Sequence, residues 1–521
     1  MANPLSRAGA RERLALGLVI SLALVAAIHP VVRAFYRFEV NYNEGWNIYN
    51  SVAVAHHVPL YGTKYGWTTV NYPLLWFYVV AYFSGFTRDY LLAGRLLSLL
   101  SMGASCVLVG LIIKRLTGGL AAALFGGFFC LALFCTMGSA HVGANDPQLC
   151  AQAFFLVGLL VYVFCPPTLA CIGAIALLFA LGGNIKHNLI DFPFAIFLDL
   201  LLVSRRRAFQ FVIFLGILAG LSVWANTTAG GPFFVSNLLA GRSYSEIRAL
   251  LNFAATDLPI FFLLLVACVW AVKQRNIRAS RLLSIFFFSS LLFGIAFGGG
   301  EGVSTNSYFD NFLALAMIVG ILFHDLSPGC LPGFRRPGLK FWAFASLVPA
   351  SLVFAIFLSG NDPFWQSTLA LPVEQARFDR EVSFLASRPG PALCESLLRC
   401  YAAGKPYVYD PFNSQRLMRA GKLDSNEIVR RIAAHQYTEI QTSLSVKSYE
   451  QLRAQLPRTG FHPVTFSVIQ LGSFAAVDER FPENVLTAID AYYVLSVENP
   501  DCDIYVPRTG SASSWLDPIH Y

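Results

Sequence analysis

Long apolar runs recur along most of this chain, and they constrain its fold more than any other feature of the sequence. A helix needs roughly 20 apolar residues to cross the hydrocarbon core of a bilayer, and the runs predict about eleven spans by that criterion. The predicted spans lie near residues 14–33, 91–113, 118–137, 148–165, 167–183, 189–204, 208–226, 257–272, 281–298, 307–325 and 340–359. The sequence therefore predicts a polytopic α-helical membrane protein.

The composition excludes a soluble protein of this length. Of 521 residues, 56% are hydrophobic and only 13% are charged, whereas soluble domains carry about 25% charged residues. The net charge of +8 does not indicate nucleic-acid binding, because the basic residues lie in short clusters between apolar runs without interleaved aromatic residues. The first apolar run resembles a signal peptide, but many further runs follow it. We interpret it as an uncleaved transmembrane helix.

The basic clusters predict the orientation of the chain. With the spans given above, all clusters fall on one side, which the positive-inside rule assigns to the cytoplasm. The N-terminus is then cytoplasmic, and the C-terminal segment is extracytoplasmic. An aromatic apolar segment at 72–86 is too short for a span, so we expect it to lie along the outer interface. The clusters are Arg7, Arg11 and Arg13; Lys114 and Arg115; Arg205, Arg206 and Arg207; Lys273, Arg275, Arg278 and Arg281; and Arg335, Arg336 and Lys340.

Residues 360–521 have the composition of a soluble domain. We expect residues 1–359 to form a transmembrane domain with a large first outer loop at 34–90, and residues 360–521 to form a small extracytoplasmic α/β domain. Cys394 and Cys400 can form a disulfide there if the domain faces an oxidising compartment. Predicted strands lie at 392–394, 406–409, 439–442 and 504–506, and predicted helices at 375–386, 426–435 and 448–456.

Residues that can carry chemistry fall in the predicted outer loops. Glu44 is a candidate general base, and an ordinary solvated loop acid is the alternative. Asp146 precedes Pro147 and a span, a pattern that equally suits a helix cap. Lys186 and His187 suit a phosphate, although a lysine at the interface can also simply reach to water.

A glycine-rich outer loop at 298–311 adds further candidates. Glycines allow a backbone to approach a ligand closely, and they also make flexible turns. Glu301, Asn306 and Tyr308 in this loop, and Arg95 near the outer end of a span, are placed to contact a sugar or a phosphate. No spacing of acids, histidines or cysteines predicts a metal site, and the sequence neither requires nor excludes a divalent metal.

The order of several outer-loop patterns resembles the GT-C membrane glycosyltransferases. The chain reads NEGWNIY at 43–49, PLY at 59–61, NYPL at 71–74, NDPQ at 145–148, KHN at 186–188 and NSY at 306–308. The resemblance covers roughly residues 14–325. It is strongest to the bacterial branch that includes the lipid A aminoarabinose transferases and the protein O-mannosyltransferases.

This resemblance implies an inverting glycosyltransferase. It would move a sugar from a polyprenyl-phosphate donor to a hydroxyl of a lipid, glycan or protein at the outer face of the inner (plasma) membrane. Glu44 would be the base and Asp146 would orient the acceptor or assist. Relatives often carry Lys-Pro-Pro where this chain has VNYPL at 70–74. Either Lys64 or Lys186 would replace the missing lysine, or this branch would bind its donor differently. The resemblance assigns the donor phosphate to Lys186, His187, Arg95 and Lys64, and the substrate to Asn43, Tyr72, Glu301, Asn306 and Tyr308.

A transporter or a lipid-linked-sugar flippase is the alternative. Transporters place ionisable residues near the middle of the membrane, whereas the middles of these predicted spans are nearly free of charge, with Asp199 as the main exception. A large outer domain is also unusual for a transporter. If the chain is a transferase, we expect the carboxylates of Glu44 and Asp146 to face one outer cavity, with Lys186 or another cation nearby.

Overall fold

The structure is a computed structural model, and part of the sequence prediction lies outside the residues that it describes. The described residues are 9–327, 337–358, 364–443, 480–500 and 502–508. Arg7, Arg335, Arg336 and the predicted helix at 448–456 lie outside them.

Helices form most of the described chain. In chain order they are α1 (Ala10–Arg33), α2 (Asn43–Ala55), α3 (Leu75–Thr87), α4 (Tyr90–Thr117), α5 (Leu120–Thr136), α6 (Gln148–Phe164), α7 (Leu169–Ile185), α8 (Asp191–Val203), α9 (Arg205–Gly230), α10 (Phe234–Leu238), α11 (Glu246–Asp257), α12 (Phe261–Gln274), α13 (Arg278–Gly298), α14 (Phe309–Leu326), α15 (Pro337–Leu358), α16 (Phe364–Ala386), α17 (Leu397–Ala402), α18 (Pro411–Arg419), α19 (Ser425–Ala433) and α20 (Glu483–Tyr492).

Each predicted span coincides with a helix, so the polytopic α-helical class is confirmed. Among the described residues, six helical stretches are long and apolar enough to cross a membrane, by length and composition: Ala10–Arg33, Tyr90–Thr117, Arg205–Gly230, Glu246–Gln274, Ser280–Gly298 and Thr305–Leu326. Shorter apolar helices include α5, α6 and α7. The number of crossings and the orientation stay predictions.

The chain forms two compact units. The first consists of Met1–Ala34, Arg95–Ser222 and Tyr244–Thr368, and the second of Phe35–Gly94, Val223–Ser243 and Leu369–Tyr521. Most of the predicted first outer loop therefore belongs to the same unit as the C-terminal segment. The division into domains at residue 359 stays a prediction.

Helix α14 forms the centre of the first unit. Its residues from Phe309 to Phe323 are buried. It packs closely on α5 because glycines face each other: a Cβ added to Gly126 would lie 2.9 Å from the carbonyl oxygen of Ala316 and 3.2 Å from the Cα of Gly320. Small residues at such crossings let apolar helices approach and gain van der Waals contact.

The C-terminal part of the second unit contains a four-stranded sheet. Its strands are β1 (Ala392–Cys394), β2 (Glu439–Thr442), β3 (Tyr493–Asn499) and β4 (Cys502–Pro507). Their order is β1-β2-β4-β3. β1 and β2 are parallel, and β4 pairs antiparallel with both β2 and β3. The predicted disulfide joins Cys394 to Cys400 across a Cα–Cα distance of 6.1 Å.

The strand predictions were partly wrong. The predicted strands at 392–394, 439–442 and 504–506 are confirmed, but residues 406–409 form no strand, and β3 was missed. The segment 406–409 packs on the first-outer-loop residues of its own unit, because Tyr407 stacks on Tyr49 with ring centroids 4.7 Å apart. The backbone N of Asp410, just beyond it, donates to the carbonyl oxygen of Trp67 (2.7 Å). Those contacts take the place of sheet pairing.

Candidate functional site

Asp146 is held at the start of α6 by its own loop. Its Oδ1 accepts a hydrogen bond from the backbone N of Gln148 (2.8 Å), as a helix-capping side chain does. Upstream, Gly143 has a φ of +69°, and a Cβ added there would lie 2.9 Å from the carbonyl oxygen of Pro30. That position requires glycine. Asp146 is only 1% exposed, so it is more than a surface cap.

Two basic side chains face the Asp146 carboxylate. The Nζ of Lys186 lies 3.6 Å from Oδ1, and the Nδ1 of His141 lies 3.8 Å from Oδ2. Burial alone would raise the pKa of Asp146, but its electrostatic interactions with Lys186 and then with His141 outweigh burial and hold that pKa well below its usual range. Asp146 is therefore a carboxylate at neutral pH. The structure brings together two of the predicted candidates, Asp146 and Lys186, and it adds His141.

The burial of Lys186 excludes one of the two interpretations that the sequence allowed for this residue. Lys186 is 2% exposed, so the alternative of a lysine reaching to water is wrong. Its sequence neighbour His187 is exposed. The two residues predicted as one basic pair thus lie in different environments, because Lys186 follows the last turn of α7 while His187 begins the turn to α8.

A polar pocket adjoins this ion pair within the first unit. Asp191 begins α8 and Asp310 lies in the first turn of α14, and their side chains are within hydrogen-bonding reach of each other. Gln152 of α6 donates from Nε2 to Oδ1 of Asp310 (2.5 Å). The pocket is lined by Gln148, Asn188, Leu189, Asp191, Phe293, Phe297, Asn306, Ser307 and Asp310.

The other candidates of the first unit divide by burial. Arg95, Glu301 and Tyr308 are buried. Asn306 is half-buried and lines the pocket. The glycine-rich loop at 298–311 contacts the residues around Asp146, because Nε2 of His141 lies 3.3 Å from Oγ of Ser304.

Glu44 lies in the second unit, in the first turn of α2. Its Oε2 accepts a hydrogen bond from the backbone N of Val40 (2.7 Å), so the side chain reaches back over the start of the helix. Oδ1 of Asn41 accepts from the backbone N of Asn43 (3.0 Å) and helps to begin the helix. Glu44 is fully buried, so the alternative of a solvated loop acid is wrong. The expectation that Glu44 and Asp146 face one cavity stays a prediction.

A second carboxyl, that of the half-buried Glu39, accompanies Glu44. Burial raises the pKa of Glu39, the charge of Arg399 lowers it, and the nearby Glu44 raises it further. Nη1 of Arg399 lies 3.9 Å from Oε2 of Glu39. The same guanidinium donates from Nε to Oε2 of Glu381 (2.8 Å). Arg399 thus ties the start of α2 to the C-terminal segment of its unit.

Helix α2 also packs directly on α17. A Cβ added to Gly45 would lie 2.2 Å from the backbone N of Leu398, so these backbones touch. One turn later, the Tyr49 hydroxyl donates to the carbonyl oxygen of Lys405 (2.8 Å). The position of Glu44 is therefore set by contacts with the C-terminal segment.

We expect Gly45→Ala to destabilise the second unit. The added methyl group would overlap the backbone of α17, and overpacking of this kind costs about 1–3 kcal/mol or more. Thermal unfolding of the purified protein measures the effect. Gly85→Ala in α3 is the matched control, because its added Cβ meets nothing within 4 Å. An unchanged melting temperature for Gly45→Ala would contradict the close packing of α2 on α17.

The remaining candidates of the second unit lie around α2. Lys64 is exposed, with its Nζ 5.3 Å from the ring centroid of Tyr65. Tyr72 is half-buried and its ring lies edge-on to Trp46, with centroids 5.1 Å apart. Asn43 is the first residue of α2. The role of Lys64 in binding the donor phosphate and those of Tyr72 and Asn43 in binding substrate stay predictions.

The architecture can be compared with known proteins. No family model and no curated protein sequence matches this chain. Among solved structures, ArnT from Cupriavidus metallidurans in the apo state superposes with a TM-score of 0.57 at 13% identity, over 94% of this chain and 97% of that chain. The same enzyme bound to undecaprenyl phosphate gives a TM-score of 0.57 at 14% identity, over 96% and 99%. The oligosaccharyltransferase AglB from Archaeoglobus fulgidus, in complex with an inhibitory peptide and a dolichol-phosphate, gives 0.50 at 10% identity, over 84% and 70%.

The chain has the GT-C fold. That expectation from the outer-loop patterns is confirmed. At these identities the likeness concerns the fold, so the chemistry carried by this GT-C fold has to be argued from its own residues.

Several residues of this GT-C fold escaped the sequence analysis. Gln152 and Asp310 could have been recognised from the sequence, because polar side chains inside apolar runs often mark functional positions. Three others each lie five residues from a predicted candidate (Glu39 from Glu44, His141 from Asp146 and Asp191 from Lys186), and only Arg399 is distant in sequence. The missed residues are Glu39, His141, Gln152, Asp191, Asp310 and Arg399. Among the described residues, no group of three or more His, Cys, Asp and Glu side chains is arranged to hold a metal ion, and we assign no metal.

Proposed function

We propose that this protein is an inverting glycosyltransferase that moves a hexosyl or pentosyl group from a polyprenyl-phosphate donor to a hydroxyl acceptor. The observation that carries the proposal is the buried ion pair of Asp146 and Lys186, 3.6 Å apart, in a chain with the GT-C fold. The same fold occurs in ArnT bound to undecaprenyl phosphate and in AglB in complex with a dolichol-phosphate. A buried cation on such a scaffold suits a lipid phosphate.

The proposed reaction needs a base, and Glu44 suits that role. Its carboxylate takes the proton from the acceptor hydroxyl as the acceptor oxygen attacks the anomeric carbon. A new C–O bond forms, the bond from the anomeric carbon to the phosphate oxygen breaks, and polyprenyl phosphate leaves. The hydrogen bond from Val40 fixes the direction of the Glu44 side chain, which favours a defined approach of the acceptor.

The leaving phosphate gains negative charge, and Lys186 is the residue that we assign to it. A cation fixed in a water-poor site stabilises developing charge by several kcal/mol. Asp146 and His141 position this lysine, since Asp146 holds it from one side and is itself held by the start of α6. Arg95, His187 and Lys64 are further candidates for the phosphate. Asp146 is also a candidate to orient the acceptor.

We place the reaction at the outer face of the inner (plasma) membrane, with the N-terminus cytoplasmic and the C-terminal domain extracytoplasmic. The positive-inside pattern favours this orientation. The disulfide Cys394–Cys400 also favours it, because disulfides form and persist in oxidising compartments. The acceptor is then a lipid, glycan or protein exposed at that face.

A flippase would bind the same lipid-linked sugar without breaking its phosphate–sugar bond, so product analysis separates the two functions. Membranes containing the wild-type protein are incubated with radiolabelled polyprenyl-phosphate hexoses and pentoses and with native membrane extract as acceptor. We expect transferred sugar and released polyprenyl phosphate in equal amounts. Movement of intact lipid-linked sugar across vesicle membranes without release would refute the transferase and favour the flippase.

A further inference from the structure

A backbone N–H group outside α2 orients the carboxylate of Glu44. Oε2 of Glu44 accepts a hydrogen bond from the backbone N of Val40 (2.7 Å). Val40 lies in the segment 35–42, which forms neither helix nor strand, so this N–H group lacks the regular hydrogen bonding that would hold it in place. The direction of the Glu44 side chain therefore depends on the side chains that fasten this segment.

Glu39 fastens the segment to the start of α17. The N–H group of Val40 belongs to the peptide bond that follows Glu39, so the two residues move together. Oε2 of Glu39 lies 3.9 Å from Nη1 of Arg399, which is in α17. Ser396, the residue before α17, also hydrogen-bonds to the Glu39 side chain. A shift of Arg399 would therefore displace the group that donates to Glu44.

Arg399 is itself fixed from its other side. It is buried, and its Nε donates to Oε2 of Glu381 (2.8 Å). Oε1 of Glu381 accepts in turn from Nδ2 of Asn499 in β3 (2.9 Å). The disulfide between Cys394 and Cys400 joins the end of β1 to α17, the helix that carries Arg399. Hydrogen bonds and a covalent bond thus hold the guanidinium relative to the sheet.

The charge of Arg399 holds several carboxylates in one place. Its guanidinium contacts the carboxylates of Glu39 and Glu381, and Glu39 interacts electrostatically with Glu44. Removing one partner of a buried ion pair leaves the other charge uncompensated, which is strongly unfavourable. Without Arg399, the Glu39 carboxylate is expected to turn away from Glu381 and towards water, and Val40 moves with it.

We propose that Arg399 is a positioning residue for Glu44: by holding Glu39, it keeps the Val40 N–H group where that group orients the Glu44 carboxylate. This inference rests on the proposed function, in which Glu44 is the base. A misplacement of about 1 Å can lower a rate by about a hundredfold, even when the mutated residue is far from the chemistry. The loss is expected in turnover and not in donor affinity, because the donor phosphate is assigned to Lys186.

Three variants separate positioning from stability. Arg399→Met removes the guanidinium and keeps an unbranched side chain. Glu39→Gln is the second variant, because it keeps the shape of Glu39 and tests the same contact if the arginine variant does not fold. Arg431→Met, which breaks the ion pair with Glu427 on α19, is the matched control. The full-length proteins, in lipid nanodiscs, are compared for turnover at saturating donor and acceptor and for affinity towards polyprenyl-phosphate hexoses and pentoses.

We expect Arg399→Met to lower turnover by about 10- to 100-fold and to leave donor affinity unchanged, and Glu39→Gln to act in the same direction. Arg399→Lys, which keeps the positive charge, should recover part of the loss, and Arg431→Met should behave as the wild type. In the Glu44→Gln background, Arg399→Met should cause no further loss, because groups that act as a unit are not additive. The same loss in both backgrounds, or unchanged turnover in folded Arg399→Met and Glu39→Gln, would overturn the inference.

A chemical probe reports the position of Glu44 without sugar transfer. A water-soluble carbodiimide with an added amine converts accessible carboxylates into amides, which mass spectrometry locates. Glu44 is fully buried, so we expect slow labelling in the wild type and labelling about tenfold faster in Arg399→Met and Glu39→Gln, because local opening exposes it. Equally slow labelling in both variants would overturn the role of Arg399. If the proposed function fails, the wild type transfers no sugar, and the labelling rates still decide whether Arg399 positions Glu44.

Discussion

Replacement of Glu44 by Gln is expected to lower the rate of sugar transfer by about two to four orders of magnitude, the usual contribution of a positioned general base. Gln has the same shape and keeps an oxygen that can accept the hydrogen bond from the backbone N of Val40. It cannot take a proton from the acceptor hydroxyl. The measurement is the turnover rate at saturating donor and acceptor, together with donor affinity, which should change little.

The matched control is Glu483→Gln. Glu483 also lies in the first turn of a helix, α20, but it is exposed, so this substitution should leave turnover unchanged. The melting temperature of Glu44→Gln reports whether the buried site tolerates the change. Equal turnover in Glu44→Gln and the wild type, with both proteins folded, would remove Glu44 from the mechanism.

The membrane helices were predictable because their signal is local. A run such as 118–137 contains almost only apolar residues, and α5 occupies nearly the same positions. In a bilayer a chain has to satisfy its backbone hydrogen bonds internally, so a long apolar run has few alternatives to a helix. The sequence alone therefore defined the helices that carry the first unit.

The helix around Glu44 was not predictable in the same way. Residues 43–55 contain asparagines and Gly45 near their start, which have low helix propensity, and they were interpreted as part of a loop. In the structure α2 is stabilised by packing on α17, more than 340 residues away in sequence. Tertiary contacts of this kind override local propensity.

The site could be predicted as a set of residues but not as pairs. Asp146 and Lys186 were both candidates, yet only the fold places them 3.6 Å apart. Asp191 meets Asp310 because α8 and the start of α14 approach each other. The residues next to Asp191 and Asp310 in the sequence form no pattern that predicts this contact. Likewise, Lys186 is buried and His187 is exposed, although the sequence pattern presents them as one basic pair.

The ion pair gives the second large prediction. We expect Lys186→Met to destabilise the first unit by about 3–5 kcal/mol, because Asp146 is left buried without its cation. We also expect binding of polyprenyl phosphate to be lost. Asp146→Asn in the same background removes the uncompensated charge, so the double variant should recover most of the stability without recovering lipid binding. Thermal unfolding and lipid titration of the wild type, both single variants and the double variant measure this.

The pH dependence of the same variants tests the electrostatic cause. In the wild type the pKa of Asp146 is held below its usual range, so its contribution to stability is present at neutral pH and is lost only as the pH falls towards that low pKa. Without Lys186, burial acts to raise the pKa of Asp146, and a proton neutralises it in milder acid. The difference in unfolding free energy between the wild type and Lys186→Met should therefore narrow as the pH falls from 7 to about 5. A difference in unfolding free energy that stays constant over this range would show that Lys186 stabilises the first unit only through packing. Lipid binding that survives in Lys186→Met would show that Lys186 does not meet the phosphate.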